Sequence, residues 1–270
     1  PGVFNSMANS TITNEDYNRF SLSILADNAL IIRNALSPEE ETEAKLAKAL
    51  ADKLDALAET CSKSATEENN KKAFEAAQEA RKFFLQILTR MLTIDFHIDL
   101  KQTTVNLFAS EAEKYMDVLS VFMKGGKPEY DITREEVFWL PIFTIQCRYI
   151  ADGVGYFQKR NREKANDLAS VFNEYWAYSS ELLSMERVGE ASALLADAHH
   201  VAVADLLREY YEFLTSIIFV LRQKRMPGSL SLLYLDRARR MVCFYLKIWA
   251  FTVNESVPDC NPYAKRISIY

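Results

Sequence analysis

The sequence is poor in the two residue types that favour turns. Glycine and proline occur seven times each among 270 residues, well below the about 7% and about 5% of average proteins. This scarcity argues against an all-β fold with many turns, and against a disordered or collagen-like chain. Long uncharged runs are also missing, because every stretch of 18 residues contains a charge. No membrane span is therefore predicted.

Basic residues are outnumbered by acidic ones. Lysine and arginine number 32 against 37 acidic residues, which gives a net charge of −5. A nucleic-acid partner is not expected, because contacts to phosphates need a basic face. One local basic concentration lies near a single predicted loop and consists of Arg222-Gln223-Lys224-Arg225 with Arg237, Arg239 and Arg240. We interpret it as a solvated face or a carboxylate-binding surface.

Motifs for metal binding and catalysis are absent from the sequence. None of the four cysteines belongs to a C-x-x-C pair or has a histidine at zinc spacing. There is no Glu-x-x-His of a di-iron bundle, no phosphate-binding glycine loop and no G-x-S-x-G or H-E-x-x-H motif. The pattern does not predict an enzyme.

The spacing of the three histidines does not predict a metal or catalytic site. His97 lies in Asp95-Phe96-His97-Ile98-Asp99, which favours turn and cap contacts, with a metal site as the alternative. His199 and His200 are helical neighbours whose rings point about 100° apart, so they cannot chelate one ion together. We expect one to lie on the surface and the other to be partly buried.

Cysteine usage and the N-terminus favour a cytoplasmic protein. Cys147 and Cys243 lie in apolar helical stretches, where a buried reduced thiol is expected. Four scattered cysteines do not make a disulfide framework, and no signal peptide is visible. Residues 1–6, which precede Met7, are interpreted as a cloning remnant.

Apolar residues recur at helical spacing along most of the chain. In the first segment the stripe is Phe20, Ile24, Asn28, Ile31 and Ala35. Eight helices are predicted: the first after Thr13, then others to about residue 61, to about 93, at 100–123, at 133–153, at 160–184, at 188–224 and to about 253. Thr13 with Asp16, Ser37-Pro38 with Glu40, and Thr133 with Glu136 resemble helix caps.

The helices fall into two sets of four that resemble each other. Residues 20–32 match residues 138–150 at a shift of 118, and Tyr115-Met116 matches Tyr245-Leu246 at a shift of 130. The second half therefore contains additional residues between its first and last helices. We predict an all-α fold with a four-helix bundle at 13–124, a second at 131–253 and an irregular tail at 254–270, in one compact unit.

Several segments resemble a known family over roughly residues 14–253. They are Arg19-Phe20, residues 28–33, residues 111–115, Val137-Phe138-Trp139-Leu140, and Pro227 through Tyr245-Leu246. The chain resembles a ferritin-like group of tandem four-helix-bundle proteins of unassigned function from spore-forming bacteria. In that family a Glu and a His of one helix, with a His and a Glu of the closing helix, look like inward metal ligands in each half.

The resemblance places other residues at most of these ligand positions. In the first half the four positions hold Tyr17, Asn28, Leu107 and Glu111. In the second half they hold Glu135, Gln146, Arg237 and Met241. No histidine is left, so we expect no metal and no other cofactor. Two buried polar clusters are expected instead: Tyr17, Asn28 and Glu111 in the first bundle, and Glu135, Gln146 and Arg237 in the second.

Each cluster predicts specific contacts. Tyr17 and Asn28 should donate hydrogen bonds to Glu111, because a buried carboxylate needs donors. In the second bundle the Arg237 guanidinium should replace the metal cation, paired with Glu135 and braced by Gln146. The alternative is that Arg237 extends to the surface beside Arg239 and Arg240.

These expectations favour a non-enzymatic structural or interaction protein, with protein partners or self-association. One alternative is a ferritin-like metalloprotein with carboxylate-bridged iron or manganese. Another is a small-ligand binder that uses a pocket left by the lost metals. The resemblance implies a bacterial, spore-associated setting.

Overall fold

A computed structural model describes residues 12–93, 96–188, 190–226 and 228–267, without the side chains of 188–194. Residues 1–6, Asp95 and Pro227, which figure in the predictions above, lie outside these ranges. The described chain forms eight α-helices, a short 3-10 turn at Glu186–Val188 and no strand, which confirms the all-α prediction. The helices are α1 (Asn14–Ala35), α2 (Glu41–Cys61), α3 (Glu67–Thr93), α4 (Gln102–Met123), α5 (Ile132–Gly153), α6 (Lys159–Met185), α7 (Glu190–Arg222) and α8 (Leu232–Val253).

The helix bounds repeat between the two halves of the chain. The first and last residues of α1 and α5 differ by 118, and those of α4 and α8 differ by 130. Two isolated antiparallel bridges, Leu36 with Ile98 and Val154 with Gly228, stand at the same separations. The additional residues lie in α6 and α7, which have 27 and 33 residues against 21 and 27 in α2 and α3. The fold is consistent with two four-helix bundles.

Helix capping follows the prediction only at α1. The Thr13 hydroxyl accepts a hydrogen bond from the Asp16 amide at 3.1 Å and caps that helix. The predicted cap of α2 is wrong, because the helix begins at Glu41. The Ser37 amide donates to the His97 carbonyl at 2.9 Å, so Ser37 belongs to the bridged segment before the helix.

The predicted cap of α5 is also wrong. Asp131 is the N-cap, and its carboxylate accepts a hydrogen bond from the Arg134 amide at 3.0 Å. Thr133 lies inside the first turn. Asp and Thr both suit an N-cap position, so residue type alone could not decide between them.

One connected core runs through both halves. Consecutive helices pack as hairpins, and the two halves meet where α1 packs on α8 and α4 on α5. At this seam the rings of Phe20 and Phe244 stack with centroids 3.7 Å apart. The apolar residues buried in both halves form a single cluster. The seam is therefore as much part of the interior as either set of four helices.

As far as the structure describes it, to residue 267, the segment after α8 contains no helix or strand, but it is linked to the helices. Cys243 of α8 forms a disulfide with Cys260. The prediction of a reduced thiol at Cys243 is therefore wrong. Cysteine spacing alone could not show that the partner is Cys260, 17 residues away. Cys61 and Cys147 are free and buried, and burial raises the pKa of the Cys147 thiol.

None of the helices within the described residues is both long and apolar enough to span a membrane.

Candidate functional site

Two of the three predicted polar residues of the first half, Asn28 and Glu111, meet at the seam between the halves. The Asn28 side-chain amide donates to Glu111 at 2.7 Å, so α1 and α4 are joined by this contact. Arg237 of α8 enters the same site. Its terminal nitrogen donates to both Glu111 oxygens at 2.5 Å, and its Nε donates to the Asn28 oxygen at 2.5 Å.

The charged side chain of Arg237 is buried away from water. The residue is 1% exposed. Its guanidinium lies over the Phe108 ring, 4.9 Å from the centroid, and 5.9 Å from the centroid of Tyr234. The buried ion pair of Arg237 with Glu111 loses much of its hydration. Its net contribution to stability therefore depends on how completely the charged groups are hydrogen-bonded. Here three donor contacts from one planar fork satisfy Glu111 and Asn28 together.

The predicted pair of Arg237 with Glu135 is therefore wrong. Glu135 is buried, but it pairs with Lys114 of α4 at 2.6 Å and accepts from the Trp139 indole at 3.0 Å. The error has a structural cause. Because α8 packs against α1 as well as α5, its inward face opens onto the first half, and a long arginine reaches across the seam.

Glu111 and Glu135, the glutamates at the ligand positions that the resemblance assigns, are each paired with a cation from the other half. Glu111 of the first half is paired with Arg237 of the second. Glu135 of the second half is paired with Lys114 of the first. Both carboxylates are buried, so each needs a counter-charge or must become neutral. The halves supply these charges to each other.

Tyr17 and Gln146 are buried as predicted but contact other residues. The Tyr17 ring packs edge-on against Phe244 at 5.5 Å, and among the described residues the hydrogen bonds of Glu111 come from Asn28 and Arg237. The prediction that Tyr17 donates to Glu111 is wrong. Gln146 contacts Met241 Sδ at 3.4 Å and accepts from the Tyr210 hydroxyl at 3.3 Å, so it does not brace Glu135.

The repeat explains the geometry of Gln146. It stands 118 residues after Asn28, and Met241 stands 130 residues after Glu111. The Gln146–Met241 contact is thus the counterpart of the Asn28–Glu111 contact. With a thioether at the second position, the place equivalent to Glu111 offers Arg237 no carboxylate in its own half.

A second buried charge network was missed from the sequence. Asp27 is fully buried beside Asn28 and is paired with Arg240 of α8 and with Arg266 of the tail, the latter at 2.7 Å. Arg240 also contacts Asp236 at 3.2 Å. Arg266 reaches Asp55 of α2 at 2.6 Å. The sequence did contain a sign of this network, because Asp27 lies three residues after Ile24 and four before Ile31, on the apolar side of α1.

A third polar cluster lies between α5, α6 and α7. Glu136 is fully buried and contacts His200 Nδ1 at 2.7 Å, while the Ser179 hydroxyl donates to its other oxygen at 2.8 Å. His199 Nε2 is 2.8 Å from the same hydroxyl. Burial lowers the pKa of His199, and the Glu136 carboxylate opposes that shift. The expected surface histidine is absent from this pair, since the side chains are 6% and 13% exposed.

The cavity beside the residues that the resemblance places at ligand positions is small. The cavity lined by Tyr17, Glu111, Trp139 and Met241 has a volume of about 20 Å³, enough for roughly one water molecule. Across the described parts of the chain, no group of three or more His, Cys, Asp or Glu side chains is placed to hold a metal ion. A larger cleft of about 570 Å³ opens at the seam near Arg148 and Lys101.

Comparison with solved structures found similar folds, among them one from Bacillus cereus G9241. The chain superposes with a TM-score of 0.87 and 24% identity on the crystal structure of an uncharacterized protein from Bacillus cereus G9241, over 93% of this chain and 95% of that one. This likeness shows an all-helical fold common to both chains. No protein-family model matches the chain, and no curated protein matches it.

Proposed function

We propose that this chain is a non-enzymatic structural or interaction protein, a metal-free relative of ferritin-like bundle proteins. The observation that supports it is the Arg237 guanidinium between Glu111 and Asn28. In the family that the sequence resembles, Asn28 and Glu111 stand at ligand positions. A permanent internal cation at this place satisfies the carboxylate that a metal would otherwise need.

Metal content tests the proposal. Protein purified without chelator, and then dialysed against iron(II), manganese(II) or zinc(II), should contain well below one metal ion per chain. Arg239→Leu should have the same metal content as the wild type, because Arg239 pairs with Asp236 at 2.9 Å and does not contact Glu111. One tightly held transition metal per wild-type chain, lost on Glu111→Gln, would contradict the proposal and support the metalloprotein.

A second candidate function is small-ligand binding, supported by the cleft of about 570 Å³ between α1, α4 and α5. Its volume lies within the range of ligand pockets, and its lining combines apolar residues such as Ile31 and Ile145 with Arg148 and Tyr149. Native mass spectrometry of the purified protein should then detect a small molecule that is lost from Ile31→Trp, which fills the cleft.

We further propose a bacterial, spore-associated setting. The Cys243–Cys260 disulfide favours it over the reducing cytosol expected from cysteine spacing, because protein disulfides persist in oxidising surroundings. Trapping thiols with a mass tag during cell or spore lysis measures the oxidised fraction. Four reduced cysteines per chain would favour the cytoplasm.

A further inference from the structure

Two loops lie side by side at one end of the second half. Val154, at the end of α5, is bridged to Gly228, and the Ser229 amide donates to the Gly153 carbonyl at 2.9 Å. A Cβ at Gly228 would collide with the Gly153 carbonyl oxygen, so the backbones are in close contact. The loop between α5 and α6 is therefore held against the segment that joins α7 to α8.

The first loop presents two aromatic side chains to solvent. Tyr156 is 82% exposed and Phe157 is 89% exposed, the largest values for large hydrophobic residues in the described chain. Their rings contact each other edge to face, with centroids 5.6 Å apart. Neither ring is needed to fill the core, and adjacent exposed aromatic residues mark an interaction surface.

Exposed cations lie at the same end of the second half as this aromatic pair. Arg160 lies in the first turn of α6, Arg222 is the last residue of α7, and Lys224 and Arg225 follow it. All four are exposed. Among the described residues no carboxylate lies within 4 Å of any of them. Lys164 of α6 lies over the Phe213 ring of α7 at 5.4 Å. Because the two helices are antiparallel neighbours, the end of α7 lies beside the start of α6.

The structure divides the basic concentration seen in the sequence. Arg237 and Arg240 are buried in ion pairs within the core, and Arg239 pairs with Asp236. Only the part at 222–225 remains unpaired on the surface. It forms, with Tyr156, Phe157 and Arg160, a surface that we call the aromatic–basic end. This local positive charge stands on a chain with a net charge of −5.

We propose that the aromatic–basic end binds the surface of an anionic phospholipid bilayer. Tyr and Phe rings partition to the membrane–water interface, while nearby Lys and Arg side chains are attracted to anionic headgroups. Two exposed rings and unpaired cations at the same end of the molecule combine both contributions. A nucleic-acid strand would instead need a groove lined by stacking rings, and these two rings are highly exposed and contact each other edge to face.

This inference rests on the proposed interaction role and names a partner for it. Its failure is distinguishable from failure of that role, because the metal-content measurement above does not depend on lipid.

Co-sedimentation of the full chain with lipid vesicles tests the inference. Wild-type protein should sediment with vesicles made of equal parts phosphatidylcholine and phosphatidylglycerol, and remain in the supernatant with phosphatidylcholine alone. Raising the salt concentration should weaken binding, because the attraction to anionic lipid is screened. Tyr156→Ser with Phe157→Ser, and separately Arg222→Gln with Lys224→Gln and Arg225→Gln, should each weaken binding about tenfold or more.

Two matched controls separate a local surface from general effects. Leu195→Ser with Val201→Ser removes two exposed apolar side chains elsewhere on α7, which are 53% and 51% exposed. Lys63→Gln with Lys71→Gln and Lys72→Gln removes the same charge from the opposite end. Both controls should bind like the wild type, and circular dichroism should be unchanged in every variant.

Any of three results would overturn the inference, and the first two concern the vesicle experiment. The first is equal sedimentation with neutral and anionic vesicles, or none with either. The second is equal loss of binding in the control and test variants. Tight binding of a single-stranded oligonucleotide in place of the vesicles would likewise overturn it, in favour of a nucleic-acid surface.

Discussion

A carboxylate that is excluded from water must find donors or give up its charge, and Glu111 finds them in Asn28 and Arg237. The pair itself adds little net stability, because desolvation opposes the attraction. Removing one partner is different. It leaves a buried charge without a counter-charge, which destabilises the folded protein.

Arg237→Met should therefore lower the free energy of unfolding by about 3–5 kcal/mol. Glu111→Gln combined with Arg237→Met should recover much of this loss, because the neutral amide needs no counter-charge. Urea unfolding measures both. The matched double variant, Glu135→Gln with Arg237→Met, should give no such recovery. Recovery with Glu135→Gln and none with Glu111→Gln would show that Arg237 pairs with Glu135 after all.

His199 makes stability depend on pH in a defined direction. Because burial lowers its pKa in the folded protein, the unfolded chain binds the proton more readily. The contribution is fully present above the unfolded pKa of about 6.5 and is lost as pH falls from there toward the folded value.

His199→Gln should remove that dependence. Between neutral pH and about pH 5, the wild type should lose up to about 1.4 kcal/mol per pH unit more than the variant. Unfolding free energies at a series of pH values measure the difference. Parallel curves for the two proteins would mean that His199 has the same pKa folded and unfolded.

At the scale of a helix, capping depends on backbone position more than on motif. Thr133 and Asp131 both belong to residue types that cap helices, yet only the Asp131 carboxylate reaches the free amide of Arg134. Ser37 fails for a related reason, because its backbone takes part in the contact with residue 97.

Asp131→Ala should lower the free energy of unfolding by about 1 kcal/mol, since an amide at the start of α5 loses its acceptor. Thr133→Ala, two residues away, should change it by less than about 0.5 kcal/mol. Chemical denaturation of the two single variants is sufficient. A larger loss for Thr133→Ala would restore the cap that the motif predicted.

For the molecule as a whole, the tail behaves as part of the fold. It is linked to α8 by the Cys243–Cys260 disulfide and to α1 and α2 through Arg266. The disulfide closes a short loop, so it restricts the unfolded chain, and Arg266 supplies charge to the buried Asp27.

Cys260→Ser should lower the free energy of unfolding by about 3 kcal/mol, the value expected for a loop of this length. Dithiothreitol should lower the stability of the wild type by a similar amount and leave the variant unchanged. If the reductant affects both proteins equally, the stabilising bond is not this one.

The sequence by itself determined the helices, their order and their repetition. Apolar stripes at helical spacing and the scarcity of turn residues are local properties, and the shifts of 118 and 130 recur in the helix bounds. Burial of Asn28 followed from its place on such a stripe, whereas the resemblance to a known family led us to expect buried Glu111, Glu135, Gln146 and Arg237.

Only the tertiary structure decided which of these residues meet. Position on a helix says which way a side chain points, but not which neighbouring helix it reaches. Because α8 packs on α1 and α4 on α5, Arg237 and Lys114 pair across the seam with the glutamate of the opposite half. The disulfide and the aromatic–basic end arise in the same way, from segments that are distant along the chain and adjacent in the fold.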